Sequence, residues 1–411
     1  MKGPVTRCKM RSTLSVLLCL AVLLPHAAVS SVAWTFQQIA ITGAIAPGGG
    51  TFTGFGDPSI STGTAAFFGT TSLAQGVYTG TGASTNLIAN TSSLAPGGGT
   101  FSGFGNPSIS SGTVAFFGTT SLARGIYTGT GASTNLIANT SSLAPGGGTF
   151  TGFGNPSISS GTAAFFGTTG LVQGVYTGSS ASTSRIVNTL SPAPGGGIFT
   201  GFGDPSISNG TAAFFGTTSL VQGVYTGTGA STSLIANTLF VGPGGGIFTG
   251  FGDPSISSDT IAFFGTTSLA RGIYTADAGI LTRIADTGTA IPDGSGDFFS
   301  FSAPASSNGL VAFEGAALSG FEGIYSNLGG GLAPVIDLND LLDGRAITSL
   351  SLSRFGFDGQ QLVFATTFSD HSRGIFLATA AISVPEPPSL ILLAAGLLSL
   401  GWFRRRGVSL R

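Results

Sequence analysis

An all-β, seven-bladed β-propeller is the fold class that this chain of 411 residues predicts. Three features carry the expectation: a unit of 49 residues repeated along most of the chain, four short strand patterns inside each unit, and two chain ends that complement one another.

The repeat is marked by Pro47, Pro96, Pro145, Pro194, Pro243 and Pro292, each 49 residues after the last, and all but Pro292 open a Pro-Gly-Gly-Gly run. The first two full units differ at only six of 49 positions. A period near 50 belongs to propellers and solenoids rather than to one irregular domain. Within a unit, PSIS reads as the first and innermost strand, TAAFFGTT as the second, GVYTGT as the third and TNLIANT as the fourth and outermost.

A two-residue turn separates the first strand from the second in every copy: Thr62-Gly63, Ser111-Gly112, Ser160-Gly161, Asn209-Gly210, Ser258-Asp259, Asn308-Gly309 and Asp358-Gly359. Asn-Gly and Asp-Gly favour the positive φ angles of tight hairpins. The second strand carries paired phenylalanines, Phe67-Phe68 in the first copy, which would place one ring on each face of a blade. The third strand repeats an aromatic at Tyr78, Tyr127, Tyr176, Tyr225, Tyr274, Tyr325 and Phe376, so hairpins and aromatics both count seven. Pro-Gly-Gly-Gly reads as the crossover from one blade's outer strand to the next blade's inner strand. Proline ends the outer strand there and the glycines allow a tight backbone turn.

The ends then fit. After Gly374-Ile375-Phe376 the chain reaches Val384-Pro385-Glu386-Pro387 before a fourth strand can form. At the front, TFQQIAITGAIAPGGG fills the slot of a fourth strand, with Ile39-Ala40 falling 49 residues before Ile88-Ala89. A ring closed by the N-terminal strand explains both facts and removes most exposed sheet edges. A β-solenoid with two coils per repeat is the alternative architecture, and it leaves the matching ends unexplained.

Composition narrows the function. Only 8% of residues are charged, while 42% are hydrophobic, enough for a large core. Between Trp34 and Ser383 stand seven arginines, no lysine and fifteen acids, a net charge near −8. That balance argues against nucleic acid, whose binding requires neutralised phosphates. Both cysteines, Cys8 and Cys19, lie in the first twenty residues, so the body has no disulfide, thiol chemistry or cysteine metal site.

Residues 1–33 read as a secretory signal, with a basic start, an apolar run from Leu14 to Leu24, and small residues suited to signal peptidase at Ser30 or Ala33. Residues 34–383 form the expected propeller, and 384–411 a separate tail. The tail joins Val384-Pro385-Glu386-Pro387 to an apolar stretch from Ser389 to Phe403 and then to Arg404, Arg405 and Arg406. It is short for a full span, though Trp402 and the arginines suit the interface. This tail resembles the PEP-CTERM sorting signal of Gram-negative bacteria. The resemblance implies recognition and cleavage by an exosortase, transient anchoring in the inner membrane, and delivery to the envelope or extracellular matrix. It also implies an association with exopolysaccharide and biofilm.

Candidate chemistry is sparse. Asp57, Asn106, Asn155, Asp204 and Asp253 recur in a Phe-Gly-Asx-Pro sequence before the inner strand and would ring the channel mouth. Such a ring suits a glycan or a cation, calcium included; an Asx before proline also caps its own loop. Gln75, Arg124, Gln173, Gln222 and Arg271 belong to the loop between second and third strands, on the same face, as sugar-hydroxyl partners or as solvated tips.

The diverged sixth and seventh blades hold Glu314, Glu322, Asp337, Asp340 and Asp343, the only place for the paired carboxylates of a carbohydrate-active enzyme. His371 is the body's only histidine, which leaves almost no material for His-cluster metal sites or Ser-His-Asp machinery. Threonine arrays such as TGTGAST raise ice binding, a chemistry that wants the flat ranks of a solenoid. Near-identical blades favour a structural or glycan-contacting role without catalysis and without a required cofactor.

Overall fold

The computed structural model describes residues 31–383, apart from Ala83, Ala132, Ala181, Ala230, Asp293 and Ser295. The expected signal segment before Ser31, the tail helix, and Val384, Pro385, Glu386, Pro387, Arg404, Arg405 and Arg406 lie outside the described residues. Residues 31–383 form one compact unit of seven antiparallel sheets, a seven-bladed propeller. Among the described residues no helix is long and apolar enough to cross a membrane.

Each blade is built from a pattern that suits a sheet covered on both faces. In the second strand Ala65, Ala66 and Phe67 are all buried, although successive side chains point to opposite faces. Ala65 and Phe67 pack with Val363, Ile375 and Leu377 of blade seven, whereas Ala66 packs with Phe101 and Phe116 of blade two. Seven such clusters lie between neighbouring blades, so the hydrophobic core is a ring of interfaces. Small alanines let the sheets approach, and the aromatics fill the wider gap. In blade one Tyr78 stacks on Phe67 at 5.8 Å and meets the edge of Phe52 at 5.0 Å. Phe376 takes the tyrosine's place in blade seven, stacked on Phe364 at 6.2 Å.

The ring closes as the complementary ends require. Strand Ser31–Ile41 pairs antiparallel with Arg373–Ser383 as the outer strand of blade seven. Its register slips between Gln38 and Ala40, just as the outer strand of blade one slips opposite Val77 and Tyr78. Ile39 therefore occupies the bulge that Ile88 occupies in blade one. A β-carbon added at Gly129 would stand 2.6 Å from Ile88 Cγ2, so this glycine receives the bulged isoleucine of the preceding blade.

The Pro-Gly-Gly-Gly runs are the crossovers between blades. In the second of them Gly97, Gly98 and Gly99 have φ of 89°, 101° and 78°, three consecutive left-handed residues that only glycine adopts readily. Flanking bridges such as Leu94↔Thr100 pinch the loop.

Two expectations need correction. The inner strand is longer than PSIS: Phe52–Phe55 also pairs with the second strand, and Ser59–Ser61 resumes after a break. Phe-Gly-Asx-Pro thus interrupts the inner strand rather than preceding it, because proline has no N–H for the ladder. In blade seven Asp358 pairs with Gln361, which moves the turn to Gly359-Gln360 from the expected Asp358-Gly359.

Candidate functional site

The break in each inner strand turns the Asx side chain toward the propeller axis. Asp57, Asn106, Asn155, Asp204 and Asp253 line one cavity of about 260 Å³ at the channel mouth. Ala303 takes the corresponding place in blade six and Leu352 in blade seven. The Asx groups bond between blades: Asn106 Nδ2 donates to Asp57 Oδ2 at 3.1 Å, and the backbone N–H of Asn155 to Asp204 Oδ2 at 3.2 Å.

The floor of this cavity comes from blade seven. From Leu350 to Phe357 that blade needs two more residues than blade one uses from Phe55 to Ile60, the pairings on either side being equivalent. The surplus, Arg354-Phe355, crosses the channel. On the near side Ser353 Oγ donates to Pro58 O at 2.6 Å, and Ile60 N–H donates to Phe355 O at 2.9 Å. On the far side Arg354 Nη1 donates to Asp204 O at 2.6 Å and to Pro254 O at 3.2 Å, and Nη2 to Pro205 O at 3.3 Å. Burial pulls the guanidinium below its ordinary pKa, with Asp253 and Asp204 opposing. Burial likewise pushes Asp204 and Asp253 up, and Arg354 holds both back.

Beyond Arg354 and Phe355 a second space of about 150 Å³ is lined by the Ser-Ile-Ser strands. The hydroxyls of the serines that end these strands are not free. Ser61 accepts from Ser111 N–H, Ser110 from Ser160, Ser159 from Asn209, Ser208 from Ser258, Ser257 from Asn308 and Ser307 from Gly359. Asp358 Oδ2 then accepts from Thr62 N–H at 2.6 Å and completes a circuit of all seven blades. Sequence reasoning missed this ring. The available signal was a serine on both sides of isoleucine in blades one to five, where an inner strand has no need of hydroxyls.

Glu314 and Glu322 face the start of the floor segment. Glu322 Oε1 accepts Leu350 N–H at 3.0 Å, and Glu314 Oε2 accepts Leu352 N–H at 3.4 Å. Burial, then the nearby Glu322 and Asp57 charges, push Glu314 up to about 7 against the Leu352 hydrogen bond. Ser351 Oγ donates to Asp57 Oδ1 at 2.9 Å from the other side of the same segment. Asp337 and Asp340 instead organise an exposed turn, Asp340 Oδ2 accepting Asp337 N–H and Asp337 Oδ1 accepting Asn339 N–H. Asp343 lies in the next turn with φ of 51°.

Gln75, Arg124, Gln173, Gln222 and Arg271 each begin a third strand and are exposed, outside the channel cavity. The structure brings the Asx groups together and leaves these five apart. Among the described residues, no three or more His, Cys, Asp or Glu side chains are grouped to hold a metal ion.

Fold and tail together define the class: a β-propeller carrying the PEP-CTERM protein-sorting motif, matched over residues 383–406, which marks the chain for export and exosortase-mediated, membrane-anchored sorting. The chain belongs to a family of unknown function, DUF7453, whose model matches residues 26–391. No curated protein is similar to it in sequence.

Among solved structures, the β-propeller domain of the Trilobed protease from Pyrococcus furiosus is 13% identical, with a TM-score of 0.51 over 82% of this chain and 100% of that one. The Pyrococcus horikoshii acylaminoacyl peptidase is 12% identical, with a TM-score of 0.50 over 83% of this chain. This chain spans about half, 53%, of that peptidase. The likeness to both is one of fold. The Pyrococcus furiosus domain is described as having an open velcro topology, whereas strand pairing closes the ring here.

Proposed function

We propose that this protein is a non-catalytic module of the cell envelope or extracellular matrix that contacts exopolysaccharide through the mouth of its channel. The observation that carries the reading is the floored cavity. Its wall offers two adjacent amides, Asn106 and Asn155, flanked by the carboxylates of Asp57, Asp204 and Asp253, its floor includes Phe355, and Arg354 is committed to backbone carbonyls. Amide, carboxylate and aromatic groups are the usual partners of sugar hydroxyls and sugar faces. Binding of the body, residues 31–383, to a glycan array with and without calcium tests this. Binding that an Asn106→Ala, Asn155→Ala double variant weakens at least tenfold, with melting unchanged, supports the reading. A protein that binds no glycan in either condition overturns it. A calcium requirement would add a metal to the carboxylates of the ring.

A carbohydrate-active enzyme is the second reading, favoured by one observation: Glu314, raised to about 7 beside Glu322, has the acidity of a general acid near neutral pH. Release of reducing sugar from a bound polysaccharide, abolished in Glu314→Gln, would promote it.

A further inference from the structure

Grooves run between neighbouring blades on the channel-mouth face. Between blades seven and one a space of about 130 Å³ is lined by Thr366, Thr367 and Arg373 on one side and by Phe55 and Asp57 on the other. Asp57 also lines the mouth cavity, so this groove opens into it. Between blades four and five the groove widens to about 570 Å³, with Thr217, Leu220, Gln222 and Thr238 facing Ile247 and Thr249. Leu220 covers the crossover glycines, since β-carbons added at Gly196 and Gly197 would stand 3.6 and 3.3 Å from it. It also gives this groove an apolar flank.

The same residue types recur beside Gln75, between blades one and two, and beside Gln173, between blades three and four. The side-chain amides of Gln75, Gln173 and Gln222 are exposed and make no hydrogen bond among the described residues. Thr189 Oγ1 accepts Gln173 N–H at 3.3 Å and Thr238 Oγ1 accepts Gln222 N–H at 3.4 Å, which leaves both hydroxyl hydrogens to donate. A glycine of the inner strand, Gly103, Gly201 or Gly250, faces each of the three. None of them has a positive φ. A β-carbon at Gly103 or Gly250 would meet nothing within 4 Å, and one at Gly201 would meet Thr217 Oγ1 at 3.0 Å and Gln173 Oε1 at 3.9 Å. Ser300 and Ser349 hold the same position in blades six and seven. Neither backbone nor packing asks for glycine at Gly103 and Gly250, where a bare strand suits the close approach of a ligand.

We propose that the three grooves beside Gln75, Gln173 and Gln222 are subsites for residues of a neutral polysaccharide, one chain engaging several of them. The inference rests on the glycan-contacting function proposed above and adds sites outside the channel, whose mouth stays open. Free amides and hydroxyls match sugar hydroxyls, and the leucine flank matches the C–H face of a sugar ring.

Charge selects a neutral chain. The turns and crossovers around the three grooves contain no ionisable residue. Arg283, which reaches the crossover into blade five beside Gly244, is neutralised by Asp286 at 2.6 Å. The other interfaces differ in sign. Arg124, whose Nη2 donates to Thr151 O at 3.4 Å, and Arg185 beside Gly146 make the interface of blades two and three basic. Between blades five and six Arg271 lies over the Phe299 ring at 5.6 Å. Asp297, Glu322, Asp337, Asp340, Asp343 and Asp370 make the face of blades six and seven acidic, and Asp57, Asp204 and Asp253 stand at the mouth. An anionic polymer meets repulsion at the mouth and over blades six and seven, whereas a neutral one crosses the whole face.

Affinity electrophoresis of residues 31–383, the unit that contains every sheet of the propeller, tests the proposal in gels holding laminarin, guar galactomannan or alginate. We expect retardation by at least one of the two neutral polymers and none by alginate. The polymer should bind at least tenfold more tightly than its hexasaccharide, because linked sites act together. The triple variant Gln75→Ala, Gln173→Ala, Gln222→Ala should lose polymer affinity at least tenfold with unchanged melting, since these side chains are exposed and unbonded. Gly103→Val with Gly250→Val, which fills two of the grooves, should weaken it as well. The Asn106→Ala, Asn155→Ala variant separates this inference from the function it rests on. Polymer binding that this mouth variant weakens and both groove variants leave intact overturns the inference and keeps the mouth as the site. Binding that the groove variants weaken and the mouth variant leaves intact supports the inference and overturns the mouth. Retardation by alginate above that by the neutral polymers overturns the inference, as does a parent protein that neither neutral polymer retards.

Discussion

Glu314 stands where blades one to five place the second phenylalanine of the pair, so a carboxyl occupies an interblade position suited to a ring. Its acidity shifts to about 7 from an ordinary 4.5, with burial the main cause and Glu322 the second. The native state therefore holds a proton that the unfolded chain releases between those two values. Stability falls as pH rises from about 4.5 to 7 and levels off above, by on the order of 3 kcal/mol at most for this group. Glu314→Gln keeps an oxygen for Leu352 N–H and removes the charge. Urea unfolding at pH 5 and pH 8 should show the parent losing stability on the alkaline side and the variant losing less. Some slope should persist, because Asp204 and Asp253 are raised by the same cause. An identical pH dependence in both proteins would show that Glu314 is already ionised. The presence of acids in this blade was legible in the sequence. That two of them would hold the backbone of a neighbouring strand was not, since it depends on which strand the ring sets beside them.

Elements differ in how openly they declare themselves. The outer three strands and their hairpins follow from periodicity and turn residues, because each needs only local pairing. The inner strand does not, since its hydroxyls bond to the next blade, 50 residues on in most copies. The floor segment of blade seven is further from view, as two extra residues in a diverged repeat look like ordinary drift. Arg354 gives the segment its energetic role by joining blades four and five to blade seven through three backbone carbonyls. Arg354→Met leaves those acceptors buried without a donor and removes the charge that restrains Asp204 and Asp253. A loss of about 2–4 kcal/mol in urea unfolding is expected, larger at pH 8 than at pH 5. Arg354→Lys should recover part of it, because a compact ammonium replaces a planar fork. Stability equal to the parent's in Arg354→Met would reduce the segment to a passive floor.

For the whole molecule, closure is what makes seven similar blades one cooperative body, and it was legible because it left a surplus strand at one end and a deficit at the other. Strand Ser31–Ile41 begins three residues before the boundary at residue 34, and Ser31, Val32 and Ala33 pair with Ser383, Ile382 and Ala381. Cleavage after Ser30 keeps all of these pairs, whereas cleavage after Ala33 discards them. The exported protein is therefore expected to begin at Ser31, which N-terminal sequencing checks; a start at Trp34 would show the three outer pairs to be dispensable. Deleting residues 31–41 altogether exposes the long third strand of blade seven as an unpaired edge and opens the cluster that Ile39 and Ala40 share with Phe67 and Ile375. The deleted protein should unfold at lower urea and aggregate. A synthetic peptide of residues 31–41 in excess should restore the lost stability in proportion to the logarithm of its concentration, as for any ligand that binds only the folded state. If the peptide has no effect while the deletion is damaging, the strand acts during folding rather than by holding the finished ring.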